Sequence, residues 1–150
     1  MDKKMSIMVV DDEAIVRESL FHWFKKYGHV VETASSGFEA LEKLETYPFQ
    51  LLFVDIKMPG MDGIDTLKEI KKMSPNLPVV MITGHGSIES AVEATKSGAF
   101  DFLEKPFNSD KLIILSKRAI ESSNLLNENK DLKELVSPID NLVGNSSFTL

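Results

Sequence analysis

The chain has 150 residues, 43% of them hydrophobic and 27% charged, which is room for one globular domain and a short extension. Its 17 Lys and Arg against 23 Asp and Glu leave a formal charge of −6, so this segment is not expected to grip nucleic acid, which needs clustered cations. Cysteine is absent, excluding disulfides and thiolate metal sites, and no apolar run approaches the ~18 residues of a membrane span. Residues 1–7 lack the apolar stretch of a signal peptide, and a cytoplasmic location is the expectation.

In chain order, the first apolar run is Ile7-Met8-Val9-Val10. An amphipathic stretch, Ala14 to Tyr27, follows it, with Ile15, Leu20, Trp23, Phe24 and Tyr27 largely on one side and Gly28 as a left-handed cap. The second strand candidate is Val30–Ala34. A helix is expected over Ser36 to Tyr47, presenting Phe38, Leu41 and Leu44 ahead of Pro48. Leu51–Val54 is the third strand candidate, before a helix over Ile64 to Met73 that presents Ile64, Leu67 and Ile70. Val79–Ile82 is the fourth, before a helix over Ser87 to Ser97 presenting Ile88, Ala91, Val92 and Thr95. Ala99–Leu103 is a weaker fifth, and a long helix is expected from about Ser109 to Val136. The strands are short and mostly apolar on both faces, as buried parallel strands are.

Five strands, each followed by a helix, predict an α/β fold: a flavodoxin-like, doubly wound parallel sheet in the order 2-1-3-4-5 with five helices, the last one extended. Ligands bind such sheets beyond the carboxyl ends of the strands. There the first strand runs into Asp11-Asp12-Glu13, the third ends at Asp55, the fourth at Thr83 and the fifth near Lys105-Pro106. Asp12 or Glu13 alone would serve as a helix cap, and Asp55 alone as a turn residue. Together they form a charged cluster. Carboxylates about 4 Å apart repel by roughly 4 kcal/mol at an effective dielectric near 20, so three of them call for a cation or a proton. Oxygen ligands favour Mg²⁺, Mn²⁺ or Ca²⁺ over zinc. Lys105 offers a mobile positive charge, Thr83 a hydroxyl donor, and an aspartate is a known kind of phosphoryl acceptor. A P-loop motif is absent, and Gly84-His85-Gly86 lacks the third glycine of a dinucleotide fingerprint.

These residues resemble the bacterial two-component receiver-domain family over about residues 5 to 122. Val9-Val10-Asp11-Asp12-Glu13 resembles its acidic pair, and Val54-Asp55-Ile56-Lys57-Met58-Pro59-Gly60-Met61-Asp62-Gly63 its phosphoacceptor segment. Ile82-Thr83-Gly84-His85 is similar to its switch hydroxyl and following small residue, and the stretch from Gly98 to Phe107 to its lysine loop. The resemblance implies phosphorylation of Asp55 by a sensor histidine kinase. It also implies Mg²⁺ (or Mn²⁺) on Asp12, Asp55 and the Lys57 backbone carbonyl, with Asp11 acting through water. Thr83 and Lys105 would hold the phosphoryl oxygens, and Gly84 would leave room beside them. A cis Lys105–Pro106 peptide is implied, and Lys57 and His85 would modulate dephosphorylation, unless His85 is simply a solvated loop residue. Phe102 occupies the switch aromatic position without a Tyr hydroxyl, so a switch there would rest on packing. The alternative is a buried Phe102 that never moves.

The resemblance divides the chain into a receiver domain (1–122), a linker helix (123–137) and a linker or truncated start of an ATPase domain (138–150). Leu125, Asn129, Leu132 and Val136 fall at d, a, d, a spacing, which suits a short parallel coiled-coil homodimer, against the alternative of a solvated helix extension. Residues 141–146 and the receiver segments look most like the nitrogen-regulator type of sigma-54-dependent activator. That implies a fragment of a transcription activator whose DNA and RNA polymerase contacts lie elsewhere. Two other readings are an aspartate-nucleophile phosphohydrolase and a non-phosphorylated dimerisation scaffold. Asp55-Ile56-Lys57 lacks the Asp-x-Asp pair usual for the first, and the complete set Asp11, Asp12, Asp55, Thr83 and Lys105 argues against the second. The expected role is therefore a phosphoaccepting signalling module and not an enzyme with turnover.

Overall fold

The computed structural model describes residues 4–84 and 88–122. Strands β1 (Ser6–Val10), β2 (Val30–Ala34), β3 (Leu51–Asp55), β4 (Val79–Thr83) and β5 (Asp101–Glu104) alternate with helices α1 (Ala14–Lys26), α2 (Gly37–Thr46), α3 (Gly63–Met73) and α4 (Ile88–Lys96). A fifth helix, α5, is described over residues 109–122. The strands form one parallel sheet in the order β2-β1-β3-β4-β5, as expected. His85, the coiled-coil positions Leu125, Asn129, Leu132 and Val136, and residues 138–150 lie outside the described residues.

The strand pleat divides the core in two. Met8, Val10, Leu52, Val54, Val79 and Met81 face one side, where Ala40 of α2, Ile64, Leu67 and Ile70 of α3 and Ala94 of α4 cover them. Their neighbours Ile7, Val9, Leu51, Phe53, Val80 and Ile82 face the other, against Leu20 and Phe24 of α1 and Leu112, Leu115 and Ala119 of α5. Both faces being covered is why β3 and β4 are apolar without alternation.

Helix starts follow from local chemistry. Ser36 Oγ accepts the Glu39 N–H at 3.1 Å, while Glu39 Oε1 accepts the Ser35 N–H at 2.8 Å, close to a capping box. Asp62 Oδ1 accepts the Asp65 N–H at 2.9 Å and starts α3. Gly28, at φ 87°, ends α1 in the left-handed region, as expected.

Four positions on three helices differ from expectation. Ile15 (81% exposed), Phe38 (61%), Ile88 (74%) and Val92 (48%) point to solvent. Ile15 and Ile88 sit in first turns. The inward positions of α2 and α4 go to Ala40, Ala91 and Ala94, whose small side chains let the helices lie close to their neighbours. Tyr27 is also exposed, past the end of α1. β5 begins at Asp101 rather than Ala99, and Phe102 on this edge strand is 42% exposed, so it is not the buried core aromatic of the alternative reading.

Candidate functional site

The strand register assembles the site. Val10 pairs with Val54, so the next residues, Asp11 and Asp55, come abreast. Asp55 pairs with Ile82, which puts Thr83 one step beyond it on the adjacent strand. Thr83 pairs with Glu104, and Lys105 follows, its N–H donating to the Thr83 carbonyl at 2.8 Å. The Lys105–Pro106 peptide is cis. Five polar residues scattered over 95 positions of sequence therefore share the carboxyl edge of the sheet.

Asp11, Asp55 and Thr83 are buried, whereas Asp12 is exposed. Asp11, Asp12 and Asp55 each bring a carboxylate oxygen within 4.8 Å of the others. Asp11 Oδ1 accepts the Glu13 N–H at 2.9 Å, and Arg17 Nη1 donates to the Asp11 carbonyl at 2.7 Å. Asp11 Oδ2 is buried without a hydrogen-bond partner among the described residues. Lys105 Nζ stands 3.7 Å from that oxygen and 3.8 Å from Asp55 Oδ1, but only 2.8 Å from Glu13 Oε1.

The electrostatics follow from burial. Desolvation, and then the Asp11 charge, push the Asp55 carboxyl up to about 7, against the pull of Lys105. Asp11 is also raised, first by burial, although the Glu13 N–H and Lys105 oppose it. Burial works against the Lys105 ammonium, but the Glu13 hydrogen bond and the Asp11 and Asp55 charges together raise its pKa. The Lys105 hydrogen bond lowers Glu13.

An anionic, all-oxygen pocket with one buried carboxylate oxygen unsatisfied fits a hard divalent cation such as Mg²⁺ or Mn²⁺. Of the other expected positions, Gly84 is exposed beside Thr83, and the Lys57 side chain is exposed in the loop after β3. Phe102 lies across from Met81, two residues back from Thr83.

Two contributors escaped the sequence reading. Glu13, read there as the end of the acidic run and given no role of its own beyond a helix cap, makes no side-chain cap and reaches Lys105 instead. Gly63 opens α3 against the end of β3, where its N–H donates to the Ile56 carbonyl at 2.7 Å. A Cβ there would lie 2.6 Å from Ile56 Cα and run into the Asp55 carbonyl oxygen. The available signal for Gly63 was a poor helix former in the first turn of a helix, where no special φ is required.

Comparison with known proteins agrees with this geometry. Residues 7–117 match the model of the response regulator receiver domain. A putative response regulator NtrX-like protein of Rickettsia bellii is 45% identical over 148 residues, covering 97% of this chain and 31% of the relative. The nitrogen assimilation regulatory protein NtrX of Azorhizobium caulinodans is 41% identical over 94% of this chain and 31% of its own length. The chain thus spans less than a third of these relatives. Among solved structures, the NtrX receiver domain of Brucella abortus is 46% identical with a TM-score of 0.74, covering 77% of this chain and 98% of that one. NtrX from the same organism in complex with ADP reaches a TM-score of 0.86 at 43% identity, over 96% of this chain and 31% of that one. Register, acidic edge and relatives converge on one assignment: the chain belongs to the response regulator receiver domain family.

Proposed function

We propose that this chain is a phosphorylation-controlled switch in which Asp55 accepts a phosphoryl group from a phosphohistidine of a sensor kinase. The observation that carries the reading is the meeting of Asp11, Asp12 and Asp55 at the mouth of the sheet, with Lys105 within 4 Å of Asp11 and Asp55. In the transfer, an Asp55 carboxylate oxygen attacks phosphorus, the P–N bond to the donor imidazole breaks, and the imidazole leaves with the electron pair and takes up a proton. Asp11, Asp12, Asp55 and the Lys57 backbone carbonyl would hold Mg²⁺ (or Mn²⁺). When bound, the ion offsets the carboxylate repulsion and the charge on the transferring phosphoryl oxygens.

Lys105 places an ammonium beside the acceptor, on a stem long enough to follow a phosphoryl oxygen. The Thr83 hydroxyl donates to another, and Gly84 adds no bulk there. Lys57 and His85 tune the lifetime of the acyl phosphate. Phosphorylation adds about −1.5 to −2 charge at the sheet edge, which draws Thr83 inward. Phe102, already half exposed on β5, then repacks, and the surface of α4, β5 and α5 changes.

The output is transcriptional. Residues 123–137 act as a linker helix that joins two copies through Leu125, Asn129, Leu132 and Val136, and residues 138–150 lead into an ATPase domain. DNA and RNA polymerase are met by other parts of the longer protein. Coverage of less than a third of the NtrX-type relatives supports that context.

Intact-protein mass after incubation with acetyl phosphate and Mg²⁺ tests the central step. A single phosphoryl adduct is expected in the wild type, lost in Asp55→Asn and with chelator. An unmodified wild type would refute the reading.

A further inference from the structure

We propose that Glu13 is a positioning residue that holds Lys105 in a resting place and must release it when Asp55 carries a phosphoryl group; the inference rests on the phosphoacceptor reading of Asp55. Glu13 stands at the N-cap of α1, with extended φ −88° and ψ 116°. An acidic side chain there ordinarily accepts a backbone N–H of the first turn. Glu13 makes no such bond. Its carboxylate instead crosses 92 residues of sequence to Lys105 Nζ at 2.8 Å.

The geometry around Lys105 is lopsided. Its short contact goes to Glu13, which carries no part of the phosphoacceptor chemistry, while Asp11 and Asp55 stand beyond hydrogen-bond distance at 3.7 and 3.8 Å. Glu13 is anchored to the cluster, because its N–H donates to Asp11 Oδ1. Its side chain is 61% exposed and that of Lys105 26%, so water can replace either partner and the pair can open. A lysine ammonium on a flexible stem can then swing the short distance to a phosphoryl oxygen on Asp55. The pair therefore competes with the phosphorylated state. Breaking a solvent-exposed ion pair of this kind shifts an equilibrium by about 1.4- to 5-fold, which sets the expected effect.

The test compares wild type, Glu13→Gln and Glu13→Asp, each alone and with Lys105→Met. Gln removes the charge at constant shape; Asp keeps the charge but shortens the reach. With Mg²⁺ present, the affinity for beryllofluoride, a phosphoryl mimic, should rise about 1.4- to 5-fold in both single variants. In the Lys105→Met background neither change should matter. In metal-free protein, the side-chain ammonium NMR signal of Lys105 should shift in both Glu13 variants.

An unchanged or weaker affinity in the single variants would overturn the proposal. So would a gain in Gln alone, or one that persists with Lys105→Met, since each would mark a general charge effect. A wild type that binds no beryllofluoride would count against Asp55 as phosphoacceptor, a different failure from equal binding in wild type and variants.

Discussion

Asp55→Asn should stabilise the metal-free protein at neutral and alkaline pH. Burial and the Asp11 charge raise the Asp55 pKa from 3.8 to about 7. A carboxyl whose folded pKa exceeds its unfolded value binds more protons when folded. Stability from this group is therefore full below the unfolded value and is lost as pH rises through the window from 3.8 to about 7. A gap of roughly three pH units, at about 1.36 kcal/mol each, sets a ceiling near ~4 kcal/mol. Asp11 shares the proton uptake, which cuts the part belonging to Asp55, so a gain of about 1–3 kcal/mol is expected for the variant at pH 8. Urea melts in chelator at pH 5 and pH 8 measure it, the difference between variant and wild type growing with pH. Saturating Mg²⁺ should close most of the gap or reverse it, since a ligand at 100 times its Kd adds about 2.7 kcal/mol to the protein that binds it. An Asp55→Asn protein no more stable than wild type at pH 8 in chelator would refute the reasoning.

Gly63→Ala should destabilise by about 1–3 kcal/mol, against the gain of about 1 kcal/mol that alanine brings to an ordinary helix position, because its Cβ would meet Ile56 and the Asp55 carbonyl; thermal melts decide the sign. Phosphoryl uptake should fall with it, since the same backbone holds Asp55. His29 is buried at the far end of the sheet, where its Nδ1 accepts the Met5 N–H at 3.1 Å. Burial lowers its pKa, so the folded state binds fewer protons and stability is lost as pH falls through the unfolded value of 6.5. Melts of His29→Gln should lose that acid-side slope while keeping the opposite one from Asp55.

Much of the site could be read from the chain because its residues directly follow apolar strands. In a parallel α/β sheet the carboxyl ends share one edge, so Asp11, Asp12, Asp55, Thr83 and Lys105 had to gather once Ile7–Val10, Leu51–Val54, Val79–Ile82 and Ala99–Leu103 were recognised as strands. The motif spacing led to the family as well. The helices were less legible. Periodicity identifies that α1, α2 and α4 are amphipathic, but Ile15, Phe38, Ile88 and Val92 face water because inward space is set by neighbouring elements and by how closely each helix approaches the sheet. Glu13 and Gly63 show the same division. A cap residue and a weak helix former are all that local rules find in them. One chooses a partner 92 residues away and the other clears space for the Asp55 backbone, and both depend on distances that exist only after the chain has folded. Local sequence determined the elements and which residues stand at their ends. Tertiary packing decided which of those end groups touch, because hydrogen bonds and steric contacts are set at the ångström scale by register and helix placement, which no single segment encodes.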